Sequence, residues 1–93
     1  MLITSEQLQD IVVDTVRRIA GDGLVERRRV IDRVEEEVRE MGAWEPSDDA
    51  WSESVDPKSI GRAKIDWAIS GLKGQGRLDN PARNRWGIPH VHA

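Results

Sequence analysis

Basic side chains are concentrated in the last third of the sequence, where they could bind a polyanion. Residues 58–93 contain seven Lys and Arg against two acidic residues, whereas residues 1–57 contain seven against fifteen. The two segments therefore carry formal charges of +5 and −8, although the whole chain carries only −3. Because affinity for phosphates comes mainly from Lys and Arg, this asymmetry is typical of a module that turns one face toward a polyanion. A solvated acidic face followed by an incidentally basic tail is the alternative explanation.

Few side chains are spaced for catalysis or metal binding. The chain has no Cys, which excludes disulfides, thiolate ligands and cysteine nucleophiles. His90 and His92 form a metal-like pair without a third ligand, and we interpret them as part of a tail over residues 90–93. No Ser-His-Asp order, Gly-rich phosphate loop or pair of buried carboxylates can be recognised. We therefore expect no enzymatic activity, no metal site and no cofactor.

The size and composition predict one folded domain over residues 1–89. Its length suits a single hydrophobic core, and its apolar content is ordinary for a globular protein. No apolar run approaches the roughly 18 residues of a membrane span, and residues 1–10 lack the pattern of a signal peptide. The absence of Cys fits a reducing compartment, so we expect a soluble, cytoplasmic protein with no membrane partner.

Two amphipathic helices are predicted in the first half of the chain. The first covers about residues 5–20, with Thr4 or Ser5 as its N-cap and Gly21 after its end. The second covers about residues 26–41. Its apolar side chains form one stripe, which consists of Val30, Ile31, Val34, Val38 and Met41. The run of three arginines at positions 27–29 is interpreted as the solvated start of this helix.

An acidic loop with two Trp residues is predicted over residues 43–57. A structureless segment of this length is unusual in a small domain, so it is either functional or contains a short helix, for which Ser47 is the expected N-cap. We expect Trp44 and Trp51 to pin the loop onto the helices, because an indole buries much area and tolerates a wet edge.

The third helix is predicted over about residues 59–73, with Pro57 or Ser59 at its start. At 100° per residue, its buried stripe consists of Ile65, Ala68, Ile69 and Leu72. The opposite face carries small or polar side chains and one indole, namely Ser59, Ala63, Asp66, Trp67 and Ser70. This face departs from an ordinary solvated helix surface and is the candidate for binding.

A two-stranded hairpin is predicted over residues 77–88. Its strands would be Arg77–Leu78 and Arg85–Ile88, with a turn at residues 79–84 and with Trp86 pointing inward. Three helices followed by a basic hairpin make up a winged helix-turn-helix, a mainly α (α+β) fold whose third helix enters the DNA major groove while the hairpin, or wing, reaches the backbone or the minor groove.

The spacing of Trp, Gly and Arg residues in the second half resembles a known family. The pattern is Arg62-x4-Trp67-Ala68-x3-Leu72-x3-Gly76-x-Leu78, then Pro81-x-Arg83-x2-Trp86-Gly87-Ile88, preceded by Trp44-x3-Asp48. It resembles the N-terminal winged-helix domains of Mrr-like restriction endonucleases and related modification-dependent systems, over about residues 24–88. The chain departs from that pattern after Ile88, where such domains commonly continue into a Thr and a Gly.

The predicted function is binding of double-stranded DNA, with transcription regulation or restriction-modification as its setting. The candidate cations for phosphates are Lys58, Arg62, Lys64, Lys73, Arg77, Arg83 and Arg85. The other candidate contacts are Ser59, Ala63, Asp66, Trp67, Ser70 and Asn84. Arg62 is the residue best placed to reach a base edge, and Asp66 either accepts from a cytosine amino group or pairs with Arg62 four residues earlier.

Three alternatives stay open at this point. Trp67 either packs against a thymine methyl or a methylated base, or it is covered by the loop or the hairpin as a core anchor. The winged helix could instead bind a protein through the acidic loop and its two Trp residues. It could also be the DNA-reading domain of a larger, fused or associated nuclease.

Overall fold

The computed structural model describes residues 1–51 and 59–89. Its regular elements are α1 (Ser5–Ala20), α2 (Arg27–Glu40), a 3₁₀-helix (Pro46–Asp49), α3 (Ile60–Gly74), β1 (Asp79–Ala82) and β2 (Arg85–Gly87). The strands form an antiparallel hairpin, so the predicted fold, a mainly helical winged helix-turn-helix, is confirmed. The predictions for Pro57, Lys58 and the tail at residues 90–93 lie outside the described residues.

Local signals set the start and the end of α1. The Thr4 hydroxyl accepts a hydrogen bond from the Gln7 amide at 3.1 Å, and the Gln7 side chain accepts one from the Thr4 amide at 2.8 Å. This capping box satisfies two amide groups that the helix leaves unpaired. Gly21 follows at a φ of 55°, which favours glycine, and its amide donates to the Arg17 carbonyl. The helix therefore has the predicted bounds.

The three helices share one hydrophobic core. The most deeply buried side chains in it are Val12, Val16, Val30, Val34, Val38, Ile65, Ile69 and Leu72. Met41 was predicted in the same stripe but is 58% exposed. The physical reason is that α2 ends at Glu40, so Met41 is the C-cap and lies beyond the last packed turn.

The hairpin differs from its prediction in register. The strands begin at Asp79 and Arg85, and a tight turn at residues 83–84 joins them with Asn84 at a φ of 54°. The predicted strand at Arg77–Leu78 is wrong because both amides donate to the Leu72 carbonyl, at 2.9 and 3.3 Å, and close the end of α3.

The Asn80 side chain links the two strands of the hairpin. Its side-chain amide donates to the carbonyls of Ala82 and Arg85, both at 2.8 Å. These two bonds lie across the register shift between Asp79 and Ala82. The segment predicted as a turn is therefore mostly strand.

A backbone bridge fastens the hairpin to the segment between α1 and α2. The Val25 amide donates to the Trp86 carbonyl at 2.8 Å, and the Trp86 amide donates to the Val25 carbonyl at 2.9 Å. Trp86 is 6% exposed, so the prediction that it points inward is confirmed. The bridge itself was not predicted, because a single pair of residues leaves no periodic signal.

Trp44 and the 3₁₀-helix hold the described part of the acidic loop. The Trp44 indole donates from Nε1 to Asp49 Oδ1 at 3.1 Å, and the Arg39 guanidinium lies 4.6 Å from the centre of the indole. The helix begins at Pro46 rather than after Ser47, because the Asp48 carboxylate accepts from the Glu45 amide at 2.9 Å and makes Glu45 the N-cap.

Trp51 is 70% exposed, so it is not buried against the helices as predicted. The backbone of this segment pairs with the start of α3, since Trp51 bridges Ser59 and the Ile60 amide donates to the Ala50 carbonyl at 3.0 Å.

A charge cluster joins the Met1 amine to the acidic loop. The Met1 ammonium lies 2.7 Å from Glu45 Oε1 and 2.8 Å from Asp48 Oδ2, and the Asp48 side chain is fully buried. Hydrogen bonds to Asp48 and then Glu45 raise the pKa of the amine above its ordinary value. Burial alone would raise the pKa of Asp48, but the bonds from the ammonium and the Glu45 amide outweigh it, and the pKa is lowered.

Candidate nucleic-acid interface

Arg27 is the residue at which α2, α3 and the hairpin meet. Its guanidinium donates to Ser70 Oγ at 2.8 Å, lies 3.2 Å from Asp66 Oδ1 and stacks on the Trp86 indole 4.5 Å from its centre. The Arg27 amide donates to Asn84 Oδ1 at 3.1 Å. Three predicted site residues, Asp66, Ser70 and Asn84, are thus brought together around one side chain.

One of the two interpretations of Asp66 was that it pairs with Arg62, and this interpretation is wrong. The Arg62 guanidinium instead bonds Asp32 at 2.7 Å and Glu35 at 2.9 Å, both on α2. Partial burial alone would lower the Arg62 pKa, but these bonds outweigh it and the pKa is raised. Arg62 is therefore held against α2 rather than directed away from α3, because two carboxylates face it there.

Three more of the predicted cations are paired with carboxylates. The pairs are Lys64 with Asp48 at 3.7 Å, Arg77 with Asp10 at 3.0 Å and Arg85 with Glu26 at 3.6 Å. Lys73 and Arg83 have no carboxylate partner among residues 1–51 and 59–89, and the Lys73 ammonium lies 6.0 Å from the Trp86 ring. Of the predicted cations that are described, these two carry uncompensated charge.

Arg28 is an uncompensated cation that the sequence interpretation missed. It is exposed in the first turn of α2 and has no partner in the described part of the chain. A polar recess of about 380 Å³ separates it from α3 and the hairpin, with Glu26, Arg27, Arg28, Ile31, Arg62, Asp66 and Asn84 as its lining. The signal in the sequence was the arginine run at positions 27–29, which we had interpreted as a solvated helix start.

Ala63 is buried, so its predicted place on the outer face of α3 is wrong. Its exposed fraction is 2%. The first turns of α3 are crowded by the preceding segment, which packs Trp44 and Asp48 against Gly61 and pairs Trp51 with Ser59. A helical wheel places Ala63 opposite the core but contains no information about that segment.

Ser59 has a structural role in this conformation. Its hydroxyl accepts from the Arg62 amide at 3.1 Å and forms the N-cap of α3. The alternative start at Pro57 is therefore not needed to explain the helix. A contact between Ser59 and a phosphate would compete with this cap.

Trp67 is the most exposed large apolar side chain on α3. It is 65% exposed, so the interpretation of it as a covered core anchor is wrong. It borders a recess of about 350 Å³ between the start of α1 and α3, lined by Met1, Ile3, Thr4, Ser5, Leu8, Gln9, Lys64, Trp67 and Ala68. An indole on this rim can pack against an apolar group of a ligand.

The fold places the chain in the winged helix-turn-helix class. A scan against protein-family models, a search of curated proteins and a search of solved structures each returned no match. Within the described ranges, no three His, Asp or Glu side chains are placed to hold a metal ion. No helix in those ranges has the length and apolar character needed to cross a bilayer.

Proposed function

We propose that the chain binds double-stranded DNA through one surface formed by α3, the hairpin and the first turn of α2. The observation that supports this most directly is the position of Arg28, Lys73 and Arg83, three of the cations that have no carboxylate partner in the described part of the chain. Arg28 and Arg83 adjoin Arg27 and Asn84, which are hydrogen-bonded to each other, and Lys73 lies beside Trp86. Each of the three cations is therefore a neighbour, along the chain or in space, of a residue in the cluster centred on Arg27.

Two features favour a nucleic acid as the polyanion. Cations without carboxylate partners gain most from phosphates, because binding releases counterions and breaks no internal ion pair. Two polar side chains between them, Ser70 and Asn84, can donate to or accept from base edges in a groove. Arg62, Lys64, Arg77 and Arg85 would add to this surface only by exchanging their carboxylate partners for phosphates.

The test is the salt dependence of duplex binding. Fluorescence anisotropy with a labelled duplex, measured from low to physiological salt, gives the slope of log K against log salt. Because each phosphate contact contributes about 0.9 to that slope, Lys73→Ala and Arg83→Ala should each lower affinity and reduce the slope by about 1. Arg17→Ala, an equal change of charge in the last turn of α1, is the matched control and should leave the slope unchanged.

Two results contradict the proposal. One is the absence of salt-dependent binding by the wild-type chain at low salt. The other is an equal loss of affinity in Arg17→Ala and Arg83→Ala, which would show that only net charge matters.

A protein partner is the second candidate, and the exposure of Trp67 beside an apolar recess favours it. Trp67→Ala separates the two candidates when duplex affinity and melting temperature are measured together. Loss of duplex affinity at an unchanged melting temperature supports contact with DNA. Unchanged duplex affinity shows that the indole lies outside the DNA surface and leaves it available to a protein.

The resemblance to Mrr-like domains adds a more specific version of the DNA proposal. In that version the chain reads DNA for a fused or associated nuclease, and Trp67 packs against a methylated base. Parallel titrations with methylated and unmodified duplexes test it, since a reader of modification must prefer the methylated duplex. A cytoplasmic location is part of the same proposal, and so is a role in restriction or in transcription regulation.

A further inference from the structure

We infer that Arg27 is a positioning residue for the DNA surface, which masks the charge of Asp66 and ties the hairpin to α3. This inference rests on the proposed DNA binding. Arg27 is the first residue of α2, and among the described residues its guanidinium alone bonds both Asp66 and Ser70 while it stacks on Trp86.

Asp66 places a negative charge on the proposed DNA surface. A carboxylate on the outer face of α3 would repel a phosphate backbone. The Asp66 and Arg27 side chains are only 21% and 29% exposed, so water screens their 3.2 Å ion pair less than it screens an exposed pair. Arg27 thereby makes an acidic residue acceptable on a surface that faces a polyanion.

Arg27 also holds the hairpin at two points. Asn84 at the turn accepts from the Arg27 amide, while Trp86 on β2 carries the Arg27 guanidinium on its ring. The guanidinium Nε is buried and has no acceptor in the described part of the chain, so stacking and the two bonds to α3 orient the group. Arg27 thus sets the distance between α3 and the hairpin. That distance determines whether both elements can contact one duplex at the same time.

A double-mutant cycle with Asp66 tests the masking. Arg27→Ala removes a cation and also unmasks the carboxylate, so duplex affinity should fall about tenfold further than in Arg83→Ala, which removes a cation alone. Asp66→Asn alone should leave affinity within about threefold of wild type. Adding it to Arg27→Ala should recover about tenfold, within the range of couplings found for contacting residues.

The cycle separates masking from a merely structural role. Asp66→Asn cannot restore stacking on Trp86, so rescue of affinity without recovery of melting temperature supports masking. Additive effects, with a coupling below about twofold, overturn the inference and make Arg27 an ordinary phosphate contact or a support of the fold. If Arg27→Ala is unfolded at the assay temperature by circular dichroism, Arg27→Gln replaces it under the same criteria.

The failure of this inference can be told from the failure of the proposed function. If the wild-type chain binds no duplex, DNA binding itself is wrong. If the wild type binds and Lys73→Ala and Arg83→Ala weaken it, but Arg27 and Asp66 are additive, then DNA binding stands and only the role of Arg27 is wrong.

Discussion

Replacing Asp48 by Asn should destabilise the domain and change its pH dependence. Asp48 is fully buried and bonds the Met1 ammonium at 2.8 Å, while Glu45 bonds the same ammonium at 2.7 Å. Asn has nearly the same shape and can still accept from the Glu45 amide, but it has no charge. The substitution therefore removes the ion pairs of Asp48 with Met1 and Lys64 while it keeps the packing, provided that the chain is made with a free Met1 amine.

The expected loss in the free energy of unfolding lies between the values for exposed and for buried ion pairs. Exposed ion pairs contribute about 0–1 kcal/mol, whereas removal of one partner from a fully buried pair costs about 3–5 kcal/mol. Asp48 is buried, but Met1 is half-buried overall and keeps Glu45, so we expect about 2 kcal/mol. In a domain of this size that corresponds to a fall in melting temperature of about 8–16 °C.

The pH dependence has a definite sign on each side. The pKa of the Met1 amine is raised on folding, so its contribution is complete below about pH 8 and is lost as pH rises through the folded value. The pKa of Asp48 is lowered from 3.8, so its contribution is complete above about pH 4 and is lost as pH falls through the folded value. Asp48→Asn should therefore weaken the dependence of the free energy of unfolding on pH, both above pH 8 and below pH 4.

Urea denaturation followed by circular dichroism, repeated from pH 3 to 10, measures these changes. Asp14→Asn is the control, because Asp14 and Arg18 form an exposed i,i+4 pair whose loss should change the free energy of unfolding by less than about 0.5 kcal/mol. The reasoning is refuted if Asp48→Asn is as stable as the control at pH 6. It is also refuted if the variant loses stability above pH 8 as steeply as the wild type.

Three other substitutions have defined outcomes in thermal melting. Gly61→Ala should cost about 1–3 kcal/mol, because the new Cβ would lie 2.8 Å from Trp44 Cζ2; a more stable variant would show that the indole is free to move. Ala63→Lys should reduce the free energy of unfolding by about 1–3 kcal/mol through overpacking, seen as a lower melting temperature, and should not raise duplex affinity. Stronger duplex binding at full stability would return Ala63 to the interface. Thr4→Ala should cost about 1 kcal/mol through the lost cap of α1, and an unchanged melting temperature would mean that the Gln7 side chain alone suffices.

The helices could be predicted well because their signals are local. Apolar spacing marks the buried side of a helix, and caps such as Thr4 and Gly21 act within one turn. The failures lie where another segment intervenes. Met41 continues the apolar period of α2 but falls just past its end, and Ala63 lies opposite the predicted core stripe yet is buried.

The hairpin shows the same limit for strands. Its existence followed from the turn residues and from Trp86, but its register depended on where the backbone of α3 ends. Once the amides of Arg77 and Leu78 close that helix, β1 begins at Asp79. The tight turn is then set by Asn84, whose side chain is held by Arg27 on α2.

The charge counted along the sequence does not show which charged side chains are paired in the folded protein. The separation of +5 from −8 can be counted along the chain, and it suggested a binding surface. Which cations are available depends on which carboxylates come within about 4 Å, and these come from distant segments, as when Asp10 meets Arg77. Amino-acid order alone thus defined the helices, the wing and the sign of each half. Only the folded chain decided that Arg62 is paired while Arg28 is not, because ion pairing and burial depend on distances between segments remote in sequence.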